Sequence, residues 1–428
     1  MRDFATSPDP AVQRQLDRLG ALSVPDGRLG LDTVRTLLAR LGDPHLHMPP
    51  AFHVAGTNGK GSTCAFLRAM LEAEGYRVHV TTSPHLVRYN ERIRVAGELI
   101  SDARLAALLA EVLDVGDDLH PSFFEVTIAA AFLEFARVPA DACVIEVGMG
   151  GRFDATNVVE GPAACGIASL GIDHERFLLA PEAGTPEEPL SRIAFEKAGI
   201  VKPGRPLVTL AYAEGPRREV ERAALAAGAP LAMRGGAWDA AASDRGIEYE
   251  DRRGALALPL PTLAGEHQAD NAALAVAMLR HQDVLRVSAE AMAQGIRDAR
   301  WPARLQPLAK GPLTGGREIL LDGGHNLDAG SMLARHFAGQ RVHLIVGMLA
   351  NKDPAALLHP LRASLVSTTV VPVPGHDCHQ AAAFPGVKEA VDVPGALAAL
   401  PADGVPVLIA GSLYLAGEVL RLNGELPA

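Results

Sequence analysis

Apolar positions along the chain fall into short continuous runs alternating with stretches in which they recur every three or four residues. Residues 8–42 carry Leu16, Leu19, Leu37, Leu38 and Leu41 at helical offsets around a turn at Pro25-Asp26-Gly27. Phe52 to Ala55 is the end of a buried strand. Cys64, Ala65, Phe66, Leu67, Ala69 and Met70 then repeat at helical spacing, with Arg68 facing out. Arg77 to Thr81 reads as a strand, and Phe123 to Val138 as an amphipathic helix with Phe124, Ile128, Ala131, Phe132 and Phe135 inward. The runs Ala142–Gly148 and Ala164–Leu170 are strands, and Leu190–Gly199 and Asp270–Arg280 are helices. Such alternation predicts βαβ units and a mostly parallel sheet. After Arg300-Trp-Pro-Ala-Arg304 it restarts, with strands at Glu318–Leu321, Val342–Gly347 and Val405–Ala410.

The expected architecture is α/β, in two domains. Residues 1–300 form a phosphate-loop-type domain with a mostly parallel sheet. Residues 301–428 form a smaller Rossmann-like α/β domain that has no phosphate loop. About fifty residues precede the phosphate loop, too few for a further domain.

Composition narrows the function classes. The formal net charge of −10, with no Lys/Arg cluster, argues against a nucleic-acid partner. No apolar run reaches the ~18 residues of a membrane span, and the first eight residues hold no apolar core or cleavage site of a signal peptide. The four cysteines, Cys64, Cys143, Cys165 and Cys378, lack paired spacing, so a reduced, cytoplasmic protein is expected. Cys143 and Cys165 read as small buried hydrophobes. Cys378, in Gly375-His-Asp-Cys-His379, reads as a loop residue rather than a metal ligand, because no second ligand pair accompanies it.

The chemistry begins at Gly56-Thr-Asn-Gly-Lys-Gly-Ser-Thr63. Strand, glycine-rich turn, lysine and helix are the layout of a phosphate cradle, in which backbone N–H groups converge and Lys60 reaches the outer phosphates. The usual pattern is not fully met: Val54 stands where its first glycine belongs, and Gly61 separates Lys60 from Ser62. Glu146 interrupts an apolar strand, where a buried carboxylate is costly unless paired or ligating a cation. Mg²⁺ suits it, since that ion takes one or two carboxylates plus nucleotide oxygens. His174 ends the next strand and reads either as a structural residue or as part of the same site.

Six segments in order resemble the folylpolyglutamate synthase and dihydrofolate synthase family of the Mur ligase superfamily. They are Val54-Ala-Gly-Thr-Asn-Gly-Lys-Gly-Ser62, Thr82-Ser-Pro-His-Leu-Val-Arg-Tyr-Asn-Glu-Arg92, Glu146-Val-Gly-Met-Gly-Gly-Arg-Phe-Asp-Ala-Thr-Asn157, Glu196-Lys-Ala-Gly-Ile200, Asp322-Gly-Gly-His-Asn326 and Gly411-Ser-Leu-Tyr-Leu-Ala-Gly-Glu418. The inserted Gly61 is itself a family feature.

The resemblance implies an ATP-dependent amide ligase. A pterin-linked carboxylate is phosphorylated, and the amino group of L-glutamate displaces the phosphate. By similarity, Thr57, Asn58, Gly59, Lys60, Gly61 and Ser62 hold the nucleotide phosphates, with Asn271, Arg304 and Asp322 completing the ATP site. Ser83, Glu146, His174 and a carbamylated Lys197 hold two Mg²⁺ ions, and His325 and Ser412 bind glutamate. Lys60, Lys197 and His325 are the implied catalytic residues. On its own, Lys197 reads as a solvated helix residue, and Asp322 as either an ATP ligand or a helix N-cap.

Ser122-Phe-Phe-Glu125 and Phe153-Asp-Ala155 resemble dihydropteroate-binding segments of bifunctional bacterial members, although Phe123 and Phe124 also fit a plain core. The implied substrates are dihydropteroate, tetrahydrofolate polyglutamates and L-glutamate, handled by a monomer. One departure is the Pro- and Glu-rich stretch Phe177–Pro189, which is extended relative to the family pattern and bears on how the Lys197 helix is placed.

Four rivals are weaker. A polyglutamate synthase lacking the first activity differs only at the pterin segments. A Mur-type peptidoglycan ligase needs a domain before the phosphate loop. A dinucleotide-dependent oxidoreductase, suggested by Gly148-Met-Gly150-Gly151, needs a third glycine where Phe153 stands. A non-catalytic nucleotide switch would not need Glu146 and His174 beside the loop; glutamate-dependent ATP turnover separates it from a ligase.

Overall fold

The apolar run ahead of the glycine-rich turn is β1 (Ala51–Ala55), buried at all five positions. It has no polar alternation because both its faces are covered, as in parallel sheets generally. The computed structural model describes residues 6–22, 30–384 and 386–427, and the turn expected at Pro25-Asp26-Gly27 lies outside them. The chain divides into two compact units. The second comprises Trp301 onward together with His85–Val87 and Leu263–His267.

In the first unit β2 (Val78–Thr81), β3 (Ile93–Val95), β4 (Glu98–Leu99), β5 (Ala142–Glu146), β6 (Ala164–Ile167), β7 (Leu207–Thr209) and β8 (Leu231–Met233) join β1 in one sheet, ordered β4-β3-β2-β5-β1-β6-β7-β8. Only β3 and β4 run antiparallel to their neighbours. Val54 of β1 pairs with Glu146 of β5 on one side and Gly166 of β6 on the other. The phosphate-loop turn, Glu146 and the segment after β6 therefore emerge together at the carboxyl edge, where such sheets bind ligands. β6 stops at Ile167, short of the expected Leu170.

The helix Phe123–Arg137 is buried at every position from Val126 to Phe135, more than an amphipathic surface helix would be. It packs on β2 and β3 and on the helices Asp32–Arg40 and Asp102–Val115. Its one buried acid, Glu134, accepts two hydrogen bonds from Arg104 Nε at 2.8 and 2.9 Å.

A three-stranded antiparallel sheet, β9 (Trp238–Ser243), β10 (Gly246–Asp251) and β11 (Gly254–Leu258), was not expected. Its turns are Asp244-Arg245 and Arg252-Arg253, which lack the Asn-Gly signal of tight hairpins.

The second unit holds β12 (Gln306–Pro307), β13 (Ile319–Leu321), β14 (Val342–Val346), β15 (Leu365–Val370), β16 (Lys388–Glu389) and β17 (Val407–Ala410), ordered β12-β13-β17-β14-β15-β16 and parallel except for β12. Its last helix, Leu413–Asn423, contains Gly417, where a Cβ would overlap the Leu86 carbonyl oxygen. Alanine in an exposed helix is better than glycine by ~1 kcal/mol. Here Gly417→Ala is expected to cost about 2 kcal/mol, because the overlapped partner is backbone and cannot swing away. Denaturant unfolding of both proteins checks the sign.

Candidate active site

The phosphate-loop turn is stitched to the segment after β6. Thr57 N donates to Ser169 O at 2.7 Å and Thr57 Oγ1 to Gly171 O at 2.7 Å, while Ser169 Oγ donates to Asn58 O at 3.1 Å. The helix Lys60–Ala73 starts immediately afterwards, so Gly61 and Ser62 lie in its first, buried turn. Gly59 caps that helix at φ +85°, and a Cβ there would strike the Asn271 side-chain oxygen, so both conformation and space demand glycine. Asn271 in turn donates to Gln268 Oε1 at 3.0 Å. Gln268, fully buried, is a neighbour of the loop that the sequence did not single out.

Two ammonium groups meet on one carbonyl. Lys60 Nζ donates to Gly56 O at 2.9 Å and to Thr57 O at 3.2 Å, and Lys197 Nζ donates to Gly56 O at 2.9 Å. Lys197 is 4% exposed, so its reading as a solvated helix residue was wrong. Its helix, Pro189–Ala198, packs Ala194 and Ala198 against the sheet and carries the lysine in with them. Burial first, and the charge of Lys60 second, push the amine down to about 7, against opposing pulls from Asp173, Asp154 and Glu196. The unfolded chain therefore holds a proton on this amine, between about pH 7 and the ordinary lysine range, that the folded chain does not. With the amine unmodified, the contribution of Lys197 to stability should rise with pH across that window. Unfolding free energies of the wild type minus Lys197→Met, measured at pH 7 and pH 9, check it: a flat difference would be contrary.

Glu146, the last residue of β5, accepts Ser83 N at 3.0 Å and is buried. Its charge and that of Lys60 both act on the buried Cys64 thiol, which burial pushes far up. His174 sits in the left-handed region at φ 54° as the cap of a short helix, its N–H donating to Asp173 Oδ1 at 2.7 Å. Among the described residues no three His, Cys, Asp or Glu side chains form a metal cluster. Cys378 accepts Val373 N at 3.5 Å within its loop.

The segments Ser122–Glu125 and Phe153–Ala155, expected to bind the pterin, converge on Gly148, where a Cβ would meet the Phe124 ring and lie 3.1 Å from Asp154 Oδ2. Phe123 and Phe124 are half-buried against the core, edge to face at 6.3 Å. Ser122 and Glu125 form the capping box of the Phe123–Arg137 helix. Asp154 accepts Met149 N at 2.8 Å and Thr156 N at 3.0 Å, and burial raises its carboxyl. The Thr156 hydroxyl lies 2.8 Å from Nε2 of the buried His53. Ala155 is buried, and Phe153 stacks under the Arg152 guanidinium at 4.2 Å.

In the second unit, Asp322 follows β13 and accepts Leu305 N at 2.8 Å and Gly324 N at 2.7 Å. It is not a helix N-cap: Asn326 caps the helix Leu327–His336, so the capping reading fails. Burial raises the Asp322 carboxyl against the pull of Arg304. Arg304 lies between two buried residues in left-handed backbone, Ala303 at φ 57° and Leu305 at φ 46°. Non-glycine residues reach that region only where surroundings impose it. Gly411 N donates to Gly324 O at 3.0 Å, tying the Asp322–His325 turn to Ser412, which caps the helix Leu413–Asn423.

No family model matches the chain. A dihydrofolate synthase/folylpolyglutamate synthase of Bacillus subtilis is 38% identical to it over 349 residues, 76% of each chain. The chain belongs to the dihydrofolate synthase/folylpolyglutamate synthase family. The structure of E. coli FolC in complex with DHPP and ADP superimposes with a TM-score of 0.85 at 32% identity, covering 97% of both chains. A bifunctional folylpolyglutamate synthase/dihydrofolate synthase from Yersinia pestis, complexed with AMPPNP and Mn ion, gives 0.84 at 31% identity over 98% of this chain and 99% of that one. The expected α/β architecture is the family's own. Among the described residues no helix is long and apolar enough to cross a membrane.

Proposed function

We propose that the chain is a bifunctional ligase, joining L-glutamate first to dihydropteroate and then to the γ-carboxylate of tetrahydrofolate, at the cost of ATP. The observation that carries this reading is the pair of lysines on Gly56, set beside Glu146 at the carboxyl edge of the sheet. A carboxylate is a poor electrophile, and phosphorylation gives it a leaving group. The enzyme must then hold two anions close together and in line.

Lys60, at the helix start with Thr57 and the N–H groups of Asn58, Gly59, Gly61 and Ser62, binds the nucleotide phosphates and offsets the charge that develops on them. Asn271, Arg304 and Asp322 take the rest of the nucleotide. Ser83, Glu146 and His174 would hold Mg²⁺, and their oxygen-rich donor set with one buried carboxylate suits that ion. When bound, the ion neutralises the transferred phosphate. Lys197, buried and with its amine held near 7, is suited to carbamylation, which needs the neutral amine, and would then serve as a further carboxylate ligand.

Phe124, Phe153 and Asp154 hold the pterin, with Ser122, Phe123, Glu125 and Ala155 shaping that pocket. His325 and Ser412 receive glutamate. The protein acts as a cytoplasmic monomer. The test is phosphate release from ATP with Mg²⁺ and L-glutamate, comparing dihydropteroate and tetrahydrofolate as acceptors. Turnover with both supports the reading. Turnover with tetrahydrofolate alone reduces it to a polyglutamate synthase, and silence with both defeats it.

A further inference from the structure

Around the helix that carries Lys197, four charged side chains close on one another. Arg152 Nη2 lies 2.8 Å from Glu196 Oε1, and Arg152 Nη1 lies 3.1 Å from Glu182 Oε1. Arg192 Nη2 lies 3.0 Å from Glu182 Oε2 and 3.1 Å from Glu196 Oε1. The Arg192 and Glu196 side chains are each only 6% exposed. Backbone contacts fasten the same junction. Arg152 N donates to Glu196 O at 2.8 Å, and Asn157 Nδ2 donates to both Arg152 O and Gly199 O at 3.0 Å. A Cβ on Gly151 would lie 2.7 Å from Glu196 O and 2.9 Å from Lys197 O, so the two segments touch through backbone. Arg192 Nε also donates to Leu178 O at 3.0 Å, at the start of the Pro- and Glu-rich stretch.

Buried ion pairs repay their desolvation poorly, so a quartet with two buried and two partly buried members is a weak source of stability. What it does supply is register, because alternative positions of the helix would leave charges buried and unpaired. Glu196 and Lys197 are consecutive. Holding Glu196 from one side fixes how Lys197 meets Gly56 on the other. Arg152 also directly precedes Phe153 and Asp154.

We propose that Arg152, Glu182, Arg192 and Glu196 form an ionic clasp that positions Lys197 against the phosphate-loop turn and couples it to the Phe153–Ala155 segment. Glu182, delivered by the extended stretch between His174 and Lys197, is the latch of this clasp. The proposal rests on the roles given above to Lys197 and Asp154. All four are positioning residues, acting through Lys197 and Asp154.

The test compares the full-length wild type with Glu182→Gln, which removes only the half-exposed latch, and with Arg152→Met. The expected result for Glu182→Gln is a kcat about tenfold lower, an ATP KM that stays at the wild-type value, and an unchanged circular-dichroism spectrum. Hydrogen exchange should quicken in residues 190–199 and 151–157 and nowhere else, and Arg152→Met should do the same more strongly. Wild-type kcat in both variants, or a kcat loss accompanied by equal exchange throughout the chain, would overturn the clasp. Wild-type protein that releases no phosphate with either acceptor would defeat the parent function instead, and the exchange pattern would still decide the clasp.

Discussion

Lys60→Ala should lower the rate of phosphate release by about 10³-fold or more while leaving the fold intact. Among the described residues its Nζ donates hydrogen bonds only to the Gly56 and Thr57 carbonyls of its own loop, so removing it breaks no hydrogen bond to the core. Alanine is at least as good a helix former at the first position of Lys60–Ala73. What disappears is the positive charge offsetting the transferred phosphoryl group. A second consequence follows from proximity: Lys60 holds the Lys197 amine down, so its loss should let that amine rise and carry more positive charge at neutral pH. Steady-state phosphate release together with far-UV circular dichroism checks the first effect. A folded Lys60→Ala variant retaining most of the wild-type rate would show that the site has been misassigned.

Glu146→Gln should lower the apparent affinity for the divalent ion by about 100-fold. The substitution is nearly isosteric, and an amide oxygen can still accept the Ser83 N–H, so the strand end should keep its shape. Only the negative charge is removed, from a buried position where nothing in solvent replaces it. Two readouts separate ligation from structure: direct Mn²⁺ binding in the absence of nucleotide, and phosphate release as a function of Mg²⁺. Unchanged Mn²⁺ binding by a folded variant would remove Glu146 from the ligand set.

The two predictions differ in how their residues could be found. Lys60 is legible from the chain because a strand, a glycine-rich turn and a helix are local, and together they have the layout of a phosphate cradle. Glu146 is legible as an anomaly, an acid in an apolar run, although the neighbour that donates a hydrogen bond to it, Ser83, is 63 positions away in sequence. Resemblance to the family supplied the roles of Lys197, Asp322 and His325, whose local sequence has no such signal.

Local pattern determined most of the parallel strands, several of the helices between them, the restart after Trp301 and the glycine-rich turn, since each is written in hydrophobic period and turn chemistry within some twenty residues. Tertiary structure alone decided the rest. It buried Lys197 on a helix whose sequence reads as surface, gave Ser412 and Asn326 their capping work while withholding it from Asp322, and folded Trp238–Leu258 into an antiparallel sheet with unmarked turns. It also assembled Arg152, Glu182, Arg192 and Glu196 from three separate segments. Burial and charge pairing depend on which distant segment arrives opposite a side chain, and that is a property of the packed chain rather than of any window along it.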